Sequence, residues 1–175
     1  MKVGISMNTN KSETLLHQMQ EDITSFLSEH EELSFYCFAF DCNAEYAQIL
    51  LCLNTEKDFQ KALEHYQSGS SKQYYQTEED IFSLRYNTGD WEYQGFANYT
   101  VYDEEELTKL YSDDYERMQS EMMKKSYDLL ERLCNTQAFH NIPKTEDFTV
   151  LCIDHDEDPI DAMENTKAHV LWRKQ

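Results

Sequence analysis

The chain has 175 residues, 40% of them hydrophobic, with only four Gly and two Pro, which fits a single domain over residues 1–175. Thirty-four Asp and Glu stand against 15 Lys and Arg, giving a net charge of −19, so nucleic acids and anionic membrane surfaces would repel the protein. No apolar run reaches the roughly 20 residues of a membrane helix, and the opening lacks the features of a signal peptide, so we expect a cytoplasmic protein.

The cysteines point to the same compartment. There are five of them, without any Cys-x-x-Cys spacing, and most lie in apolar runs: Cys37, Cys42, Cys52, Cys134 and Cys152. An odd number of apolar-flanked thiols favours reduced, buried side chains over a disulfide framework or a zinc site.

The first half of the chain predicts a helix followed by a hairpin. From Ser12 to His30 the apolar residues recur at helical spacing, which indicates an amphipathic helix. The aromatic run Leu33–Phe40 and the apolar run Tyr46–Leu53 predict two antiparallel strands joined by a turn within residues 41–44.

Both faces of the first predicted strand carry apolar groups. Simple alternation places Leu33, Phe35, Cys37 and Ala39 on one face and Tyr36, Phe38 and Phe40 on the other. A strand that is apolar on both faces is expected to lie inside the sheet, covered on each side.

Thr55 is a candidate N-cap, with Asp58 three positions later, and predicts a helix that ends near Ser68. The polar segment Ser68–Gln73 is expected to be an exposed loop. Beyond it, apolar residues alternate with polar ones over residues 82–86 and again at Trp91 and Tyr93. We interpret these stretches as two further strands joined by a turn.

The second half predicts three helices and one strand. Asp103 precedes three Glu residues, an arrangement typical of a helix N-terminus. A longer helix is expected from about Asp113 to Cys134, and Phe148–Ile153 has the composition of a buried strand. Pro159 is placed in the first turn of a last helix. This irregular order predicts an α+β domain with a mainly antiparallel sheet covered by a layer of amphipathic helices.

Two groups of residues are candidates for binding. The first is the charged turn Arg85–Tyr93, where large aromatics flank Arg85 and Asp90. Trp, Tyr and Arg most often anchor interfaces, so Arg85, Asp90, Trp91 and Tyr93 form a candidate recognition surface. The alternative is structural: the aromatics fill the core, Asp90 caps the turn and Arg85 pairs with a carboxylate.

The second candidate is the run Asp154–Asp158 at the end of the last predicted strand. Its carboxylates imitate the start of a calcium loop, but Pro159 and Asn165 stand where that loop needs Gly and Glu. Asp154 and His155 remain candidate binding residues because of their strand-end location. Solvated charges that simply close the strand are the alternative.

No familiar catalytic signature is present. The sequence lacks Gly-x-Ser-x-Gly, Gly-rich phosphate-binding and His-x-x-x-His motifs, which sets aside familiar hydrolases, NTPases and dehydrogenases. Apolar surroundings suppress the thiolate that a catalytic cysteine requires. We therefore assign no catalytic residue, no metal ligand and no cofactor.

Three segments together resemble a bacterial family catalogued as a domain of unknown function, of the 4303 type. They are FYCFAFD with LLCLNT between Phe35 and Thr55, LRYNTGDWEY from Leu84 to Tyr93, and VLCIDHD from Val150 to Asp156, and they span about 120 of the 175 residues. Small acidic α+β proteins of this kind look like the immunity partners encoded beside polymorphic bacterial toxins. The resemblance implies a protein-binding role.

Two functional hypotheses follow. The first is a binding module of the toxin-immunity type, whose partner is a basic protein attracted by the charge of −19. The second is a small enzyme or ligand-binding protein with a pocket lined by Asp90, Trp91, Tyr93 and His155. A deep cleft with converging polar groups would favour the second, and an acidic surface studded with aromatics would favour the first.

Overall fold

The computed structural model describes residues 4–68, 70, 73–112 and 114–172, with the backbone alone for residues 4–10. Its centre is a four-stranded sheet in the order β3-β2-β1-β4. The strands are β1 (Phe35–Asn43), β2 (Gln48–Asn54), β3 (Tyr93–Thr100) and β4 (Lys144–Asp154).

The α+β class is confirmed, but the sheet is mixed. The β1–β2 and β2–β3 pairs are antiparallel, whereas β1 and β4 run parallel. A short hairpin reverses the chain between β1 and β2. A long helical connection precedes β4, and such a connection lets a strand enter the sheet parallel to its neighbour.

Helices cover both faces of the sheet. Within the described residues they are α1 (Gly4–Glu29), α2 (Glu56–Ser68), α3 (Glu78–Tyr86), α4 (Glu104–Tyr111), α5 (Tyr115–Cys134), α6 (Gln137–His140) and α7 (Pro159–His169). Residues of α1, α5 and α6 pack with Phe38 and Phe40 of β1 in one core. Residues of α2, α3 and α7 pack with Cys37 and Ala39 in a second core. None of these helices is long and apolar enough to cross a membrane.

The prediction that β1 is central and covered is confirmed, but its faces are not those of simple alternation. The register of the β1–β4 pair shifts between Phe35 and Cys37. Here β1 advances by two residues while β4 advances by five, and Phe35 joins Phe38 in the first core while Tyr36 joins Cys37 in the second. The expectation that Phe35 and Cys37 share a face is therefore wrong.

The first of the two predicted strands in the middle of the chain is wrong, because residues 82–86 belong to α3. Thr77 caps that helix: the Asp80 N–H donates to Thr77 Oγ1 at 3.1 Å, and the Thr77 N–H donates to Asp80 Oδ2 at 3.3 Å. Trp91 precedes β3, which starts at Tyr93. The capping box and three acidic residues in the first turn are stronger local determinants than a short alternation.

The hairpin is confirmed, but its turn lies later than predicted. β1 continues to Asn43, and the reversal is a 3₁₀ turn over Ala44–Tyr46. Asp41, predicted in the turn, is a buried strand residue whose carboxylate accepts hydrogen bonds from Thr88 Oγ1 at 3.0 Å and Gln94 Nε2 at 3.2 Å.

The other predicted helices are confirmed, although α1 begins at Gly4, eight residues before the predicted start at Ser12. Thr55 Oγ1 accepts the Asp58 N–H at 3.1 Å at the start of α2, and Asp103 forms a capping box with Glu106 at the start of α4. Pro159 opens α7. The predicted start of α5 at residue 113 lies outside the described residues, and Asp114 is the N-cap. Residues 69, 71 and 72 of the predicted exposed loop also lie outside them.

The five cysteines are all buried and free. Burial raises the pKa of Cys37 well above its usual value and raises that of Cys52 to about 12. Cys42 Sγ and Cys152 Sγ lie 3.8 Å apart, well beyond the roughly 2.05 Å of a disulfide bond.

We therefore predict that the native protein resists thiol reagents. At pH 8, less than about one thiol per chain should react with a disulfide reagent within minutes, because the reactive thiolate is suppressed by burial. All five should react in denaturant, without added reductant. A native protein that reacts rapidly, or a denatured one that releases fewer than five thiols, would contradict this.

Candidate functional site

A wide cleft lies where β1 and β4 end. Its volume is about 780 Å³. The hairpin turn, the first half of α5, the segment after β4 and the last turns of α7 form its walls. Asp154 and His155, predicted from their strand-end position, both line it.

Asp154 holds three walls of the cleft together. Its Oδ1 accepts the N–H groups of Ala44 and His155, each at 3.1 Å, and its Oδ2 accepts Gln119 Nε2 of α5 at 2.7 Å. One carboxylate thus joins the hairpin turn, the end of β4 and α5. Asp154 is a positioning residue, and His155 beside it remains exposed.

The α7 wall is held against β4 by Thr166. The Cys152 N–H donates to Thr166 Oγ1 at 2.9 Å. Because β4 is an edge strand, this hydroxyl gives one of its backbone N–H groups a hydrogen-bond partner. Nearby, Asn165 Nδ2 donates to Glu157 Oε1 at 2.7 Å. This wall presents His169, whose ring stacks on Tyr127 with centroids 4.7 Å apart. Burial raises the pKa of Tyr127, so its phenol stays neutral.

Two tyrosines stand exposed at the mouth of the cleft. Tyr46 belongs to the 3₁₀ turn and is 58% exposed, while Tyr115, the first residue of α5, is 47% exposed. Ala47 follows Tyr46 with a φ of 49°, in the left-handed region. Partial burial, and then the nearby carboxylates of Glu45 and Asp154, raise the pKa of Tyr115.

The cleft is strongly acidic. Its lining includes five carboxylate residues and a single lysine, Lys124: the acids are Glu45, Glu116, Asp154, Asp156 and Glu157. Within the described part of the chain, none of the five forms an ion pair with Lys or Arg. The cations pair elsewhere, as Lys11 does with Glu106 at 2.5 Å and Arg132 with Glu13 at 2.6 Å. The cleft therefore carries a net negative charge, with Lys124 as the one Lys or Arg in its lining.

The other predicted site residues lie away from this cleft. Arg85 does not line the cleft and contacts Asp147 near the start of β4, whereas Asp154 is the last residue of that strand. Its guanidinium bridges Glu56 at 2.7 Å and Asp147 at 2.8 Å and lies 4.0 Å from the centre of the Tyr36 ring. These contacts give Arg85 a packing role between α3 and the sheet.

Trp91, Asp90 and Tyr93 do not converge either. Trp91 is buried in the second core, where its Nε1 donates to the carbonyl oxygen of Arg85 at 3.0 Å. Asp90 Oδ1 accepts the Tyr66 hydroxyl at 2.6 Å, which raises the pKa of Tyr66 to about 12. Tyr93 packs in the first core, with its ring 5.3 Å from that of Phe26.

Sequence reasoning missed the exposed tyrosines of the cleft. Tyr46 opens a predicted strand and Tyr115 lies within the helix predicted from about Asp113, so neither pattern marks an exposed binding residue. Asp114 was a local signal for the start of α5 at Tyr115, but the start of a helix does not by itself fix the exposure of its first side chain. Nothing local to Tyr46 indicates that the hairpin tip meets α5.

The acidic run after β4 does not form a cation cage. Among the described residues, no group of three or more His, Cys, Asp or Glu side chains is arranged to hold a metal ion. Asp158 caps α7 by accepting the Ile160 N–H at 2.8 Å, and Asp154 is engaged as described. The cleft therefore combines a net negative charge with the exposed rings of Tyr46 and Tyr115.

Comparison with known proteins identified one family model. The model of a domain of unknown function, DUF4303, matches residues 15–169. No curated protein and no solved structure matches the chain.

Proposed function

The chain belongs to the DUF4303 family, a domain of unknown function, and from this premise and the geometry of the cleft we propose that it is a protein-binding module of the toxin-immunity type. Its partner is a basic protein toxin, which it neutralises by covering a cationic surface. Binding uses the acidic cleft at the carboxyl ends of β1 and β4.

One observation supports this proposal above the others. The cleft combines carboxylates that form no ion pair with Lys or Arg among the described residues with the exposed rings of Tyr46 and Tyr115. Carboxylates attract Lys and Arg side chains, and charge-assisted hydrogen bonds to them are about twice as strong as neutral ones. Tyrosine is among the residues that most often carry binding energy at interfaces. A basic protein surface satisfies both features.

The net charge of −19 adds a kinetic advantage. A protein field of this sign raises the association rate with a cationic partner by roughly 10- to 1,000-fold at low salt. The aromatic rings contribute mainly to the lifetime of the complex, because affinities of related complexes differ chiefly in their dissociation rates.

The alternative of a small-molecule pocket at Asp90, Trp91, Tyr93 and His155 finds no support in the geometry. Of these residues only His155 lines the cleft. Trp91 and Tyr93 pack in the two separate cores on opposite faces of the sheet.

The proposal is tested with the protein encoded by the neighbouring gene, by stopped-flow association at two salt concentrations. We expect binding that slows as salt rises, since exposed charges are screened over about 8–10 Å at 0.10–0.15 M salt. If the neighbouring product does not bind, or if its association is indifferent to salt, the immunity role is abandoned.

Charge reversal in the cleft sharpens this test. We predict that the double variant Glu116→Lys with Asp156→Lys slows association by about 10-fold at low salt and weakens its salt dependence, while changing dissociation by less than about 3-fold. Both side chains are exposed and neither caps a helix.

The matched control is Glu79→Lys combined with Glu64→Lys. Glu79 lies in the first turn of α3, as Glu116 does in α5, and Glu64 is an exposed residue of α2. This control changes the net charge equally on two helices that do not line the cleft, and association should slow by less than about 3-fold. Equal effects of the two double variants would show that only the overall charge matters and would remove the cleft from the proposal.

A further inference from the structure

A second cleft adjoins the first. It has a volume of about 660 Å³ and lies between the hairpin tip, the end of β3 and α4. Its residues include Asp103 and Glu104 at the start of α4, with Leu107 and Met118 as apolar side chains. Both clefts are thus built around the same hairpin tip.

Three residues line both clefts: Glu45, Tyr46 and Tyr115. We call the two exposed tyrosines the tyrosine ridge, because they stand at the boundary between the clefts. Two features of the neighbouring backbone help to place these tyrosines. The Val101 N–H donates to the carbonyl oxygen of Ala47 at 2.7 Å, which ties the hairpin tip to the end of β3. Ser112, the C-cap of α4, has a φ of 52° and lies three residues before Tyr115.

The second cleft is also negatively charged. Glu45, Asp103 and Glu104 line it, and no Lys or Arg does. Since Glu45 belongs to both, the two clefts together hold seven carboxylate residues against Lys124. Among the described side chains, none of the seven is ion-paired with Lys or Arg.

We infer that the two clefts form one docking surface for a single extended basic segment of the partner protein, which crosses the tyrosine ridge and places one Arg or Lys side chain in each cleft. This inference rests on the proposed function and adds that the partner binds through one extended basic segment. The charge complementarity of both clefts and their shared aromatic boundary carry it.

The chemistry of the surface fits such a segment on three counts. Cationic side chains on either side of the ridge meet carboxylates that no internal cation neutralises. A guanidinium or ammonium group beside a tyrosine ring is attracted by the negative face of the ring. The apolar side chains of Leu107 and Met118 accommodate the aliphatic stems of Arg or Lys.

The test uses capped synthetic peptides of glycine and serine that carry two arginines, separated by one, three or five residues, and a peptide of equal length with one arginine. Calorimetric or NMR titration at low salt measures binding to the full chain. We expect the best two-arginine peptide to bind at least about 10-fold more tightly than the one-arginine peptide, because the second contact is intramolecular. Equal affinities, or no binding of any peptide, would overturn the inference.

Two matched variants test whether each cleft contributes to peptide binding. Glu116→Gln changes the first cleft and Glu104→Gln the second, and both residues lie in the first turn of a helix. Each substitution should weaken the two-arginine peptide by about 3- to 10-fold, as expected for loss of a charge-assisted contact. Glu79→Gln, in the first turn of α3, should leave the affinity within about 2-fold. If Glu104→Gln behaves like Glu79→Gln, the second cleft takes no part and the inference fails.

The same variants separate this inference from the proposed function. A complex with the neighbouring gene product that is weakened by Glu116→Gln but indifferent to Glu104→Gln would overturn the two-cleft segment and keep the immunity role. Absence of any such complex would overturn the immunity role, while the peptide titrations alone would decide whether the surface binds basic segments.

Discussion

Replacement of Trp91 by alanine is expected to lower the free energy of unfolding by about 3–5 kcal/mol, the cost of removing a large aromatic side chain from a packed core. Trp91 is 5% exposed and packs edge-on against Tyr36, with ring centroids 5.9 Å apart. It belongs to the second core together with Phe59 and Leu84. A loss of this size is comparable with the whole stability of some domains.

Trp91→Phe is the matched control, because it keeps an aromatic ring and removes the indole N–H. The hydroxyl of Tyr36 donates to the same Arg85 carbonyl oxygen at 2.6 Å, so that oxygen keeps a partner. We expect the Phe variant to lose no more than about 2 kcal/mol. Urea unfolding followed by circular dichroism measures both. An alanine variant that melts within a degree or two of the wild type would contradict the packing role.

Replacement of Tyr115 by alanine is expected to accelerate dissociation from the basic partner by about 30-fold, which corresponds to about 2 kcal/mol and is typical of an aromatic anchor at the centre of an interface. Tyr115 borders both clefts and is 47% exposed in the free protein. The association rate should change by less than about 2-fold, because the charge of the surface is unaltered.

The control for this prediction is Tyr74→Ala. Tyr74 is 61% exposed, precedes α3 and lines neither cleft. Its removal should leave both rate constants unchanged within error. Each variant must first show a wild-type melting curve, so that altered binding is not confused with altered folding. Equal dissociation rates for the Tyr115→Ala and Tyr74→Ala variants would remove the tyrosine ridge from the interface.

The sequence was sufficient to predict the start of a helix where the interactions that determine it are local. The side chains of Thr55 and Asp103 cap α2 and α4 by accepting the backbone N–H three residues later, and Pro159 opens α7. These contacts span three residues or fewer, so the residue types alone indicate them. The helix α3 carries the same kind of signal in Thr77 and Asp80, and the alternation at residues 82–86 was wrongly preferred over it.

The faces of β1 depended on contacts distant in sequence. The bulge beside Tyr36 arises in the pairing with β4, more than 100 residues later. At this irregularity Phe35 and Cys37 face different cores, and nothing near Phe35 in the sequence indicates where it falls. The parallel direction of β4 is set in the same way by the helical connection that precedes it.

The sequence by itself determined the composition of the surface: the net charge of −19, the acidic run after β4, and the strand-end position of Asp154 and His155. The tertiary structure decided which charges are neutralised and which are not. Arg85 is committed to Glu56 and Asp147 by the packing of α3 on the sheet, whereas the acids around Tyr46 and Tyr115 meet no Lys or Arg partner among the described side chains. Ion pairing acts over a few ångströms between residues that are distant along the chain, and only the folded arrangement brings them together or keeps them apart.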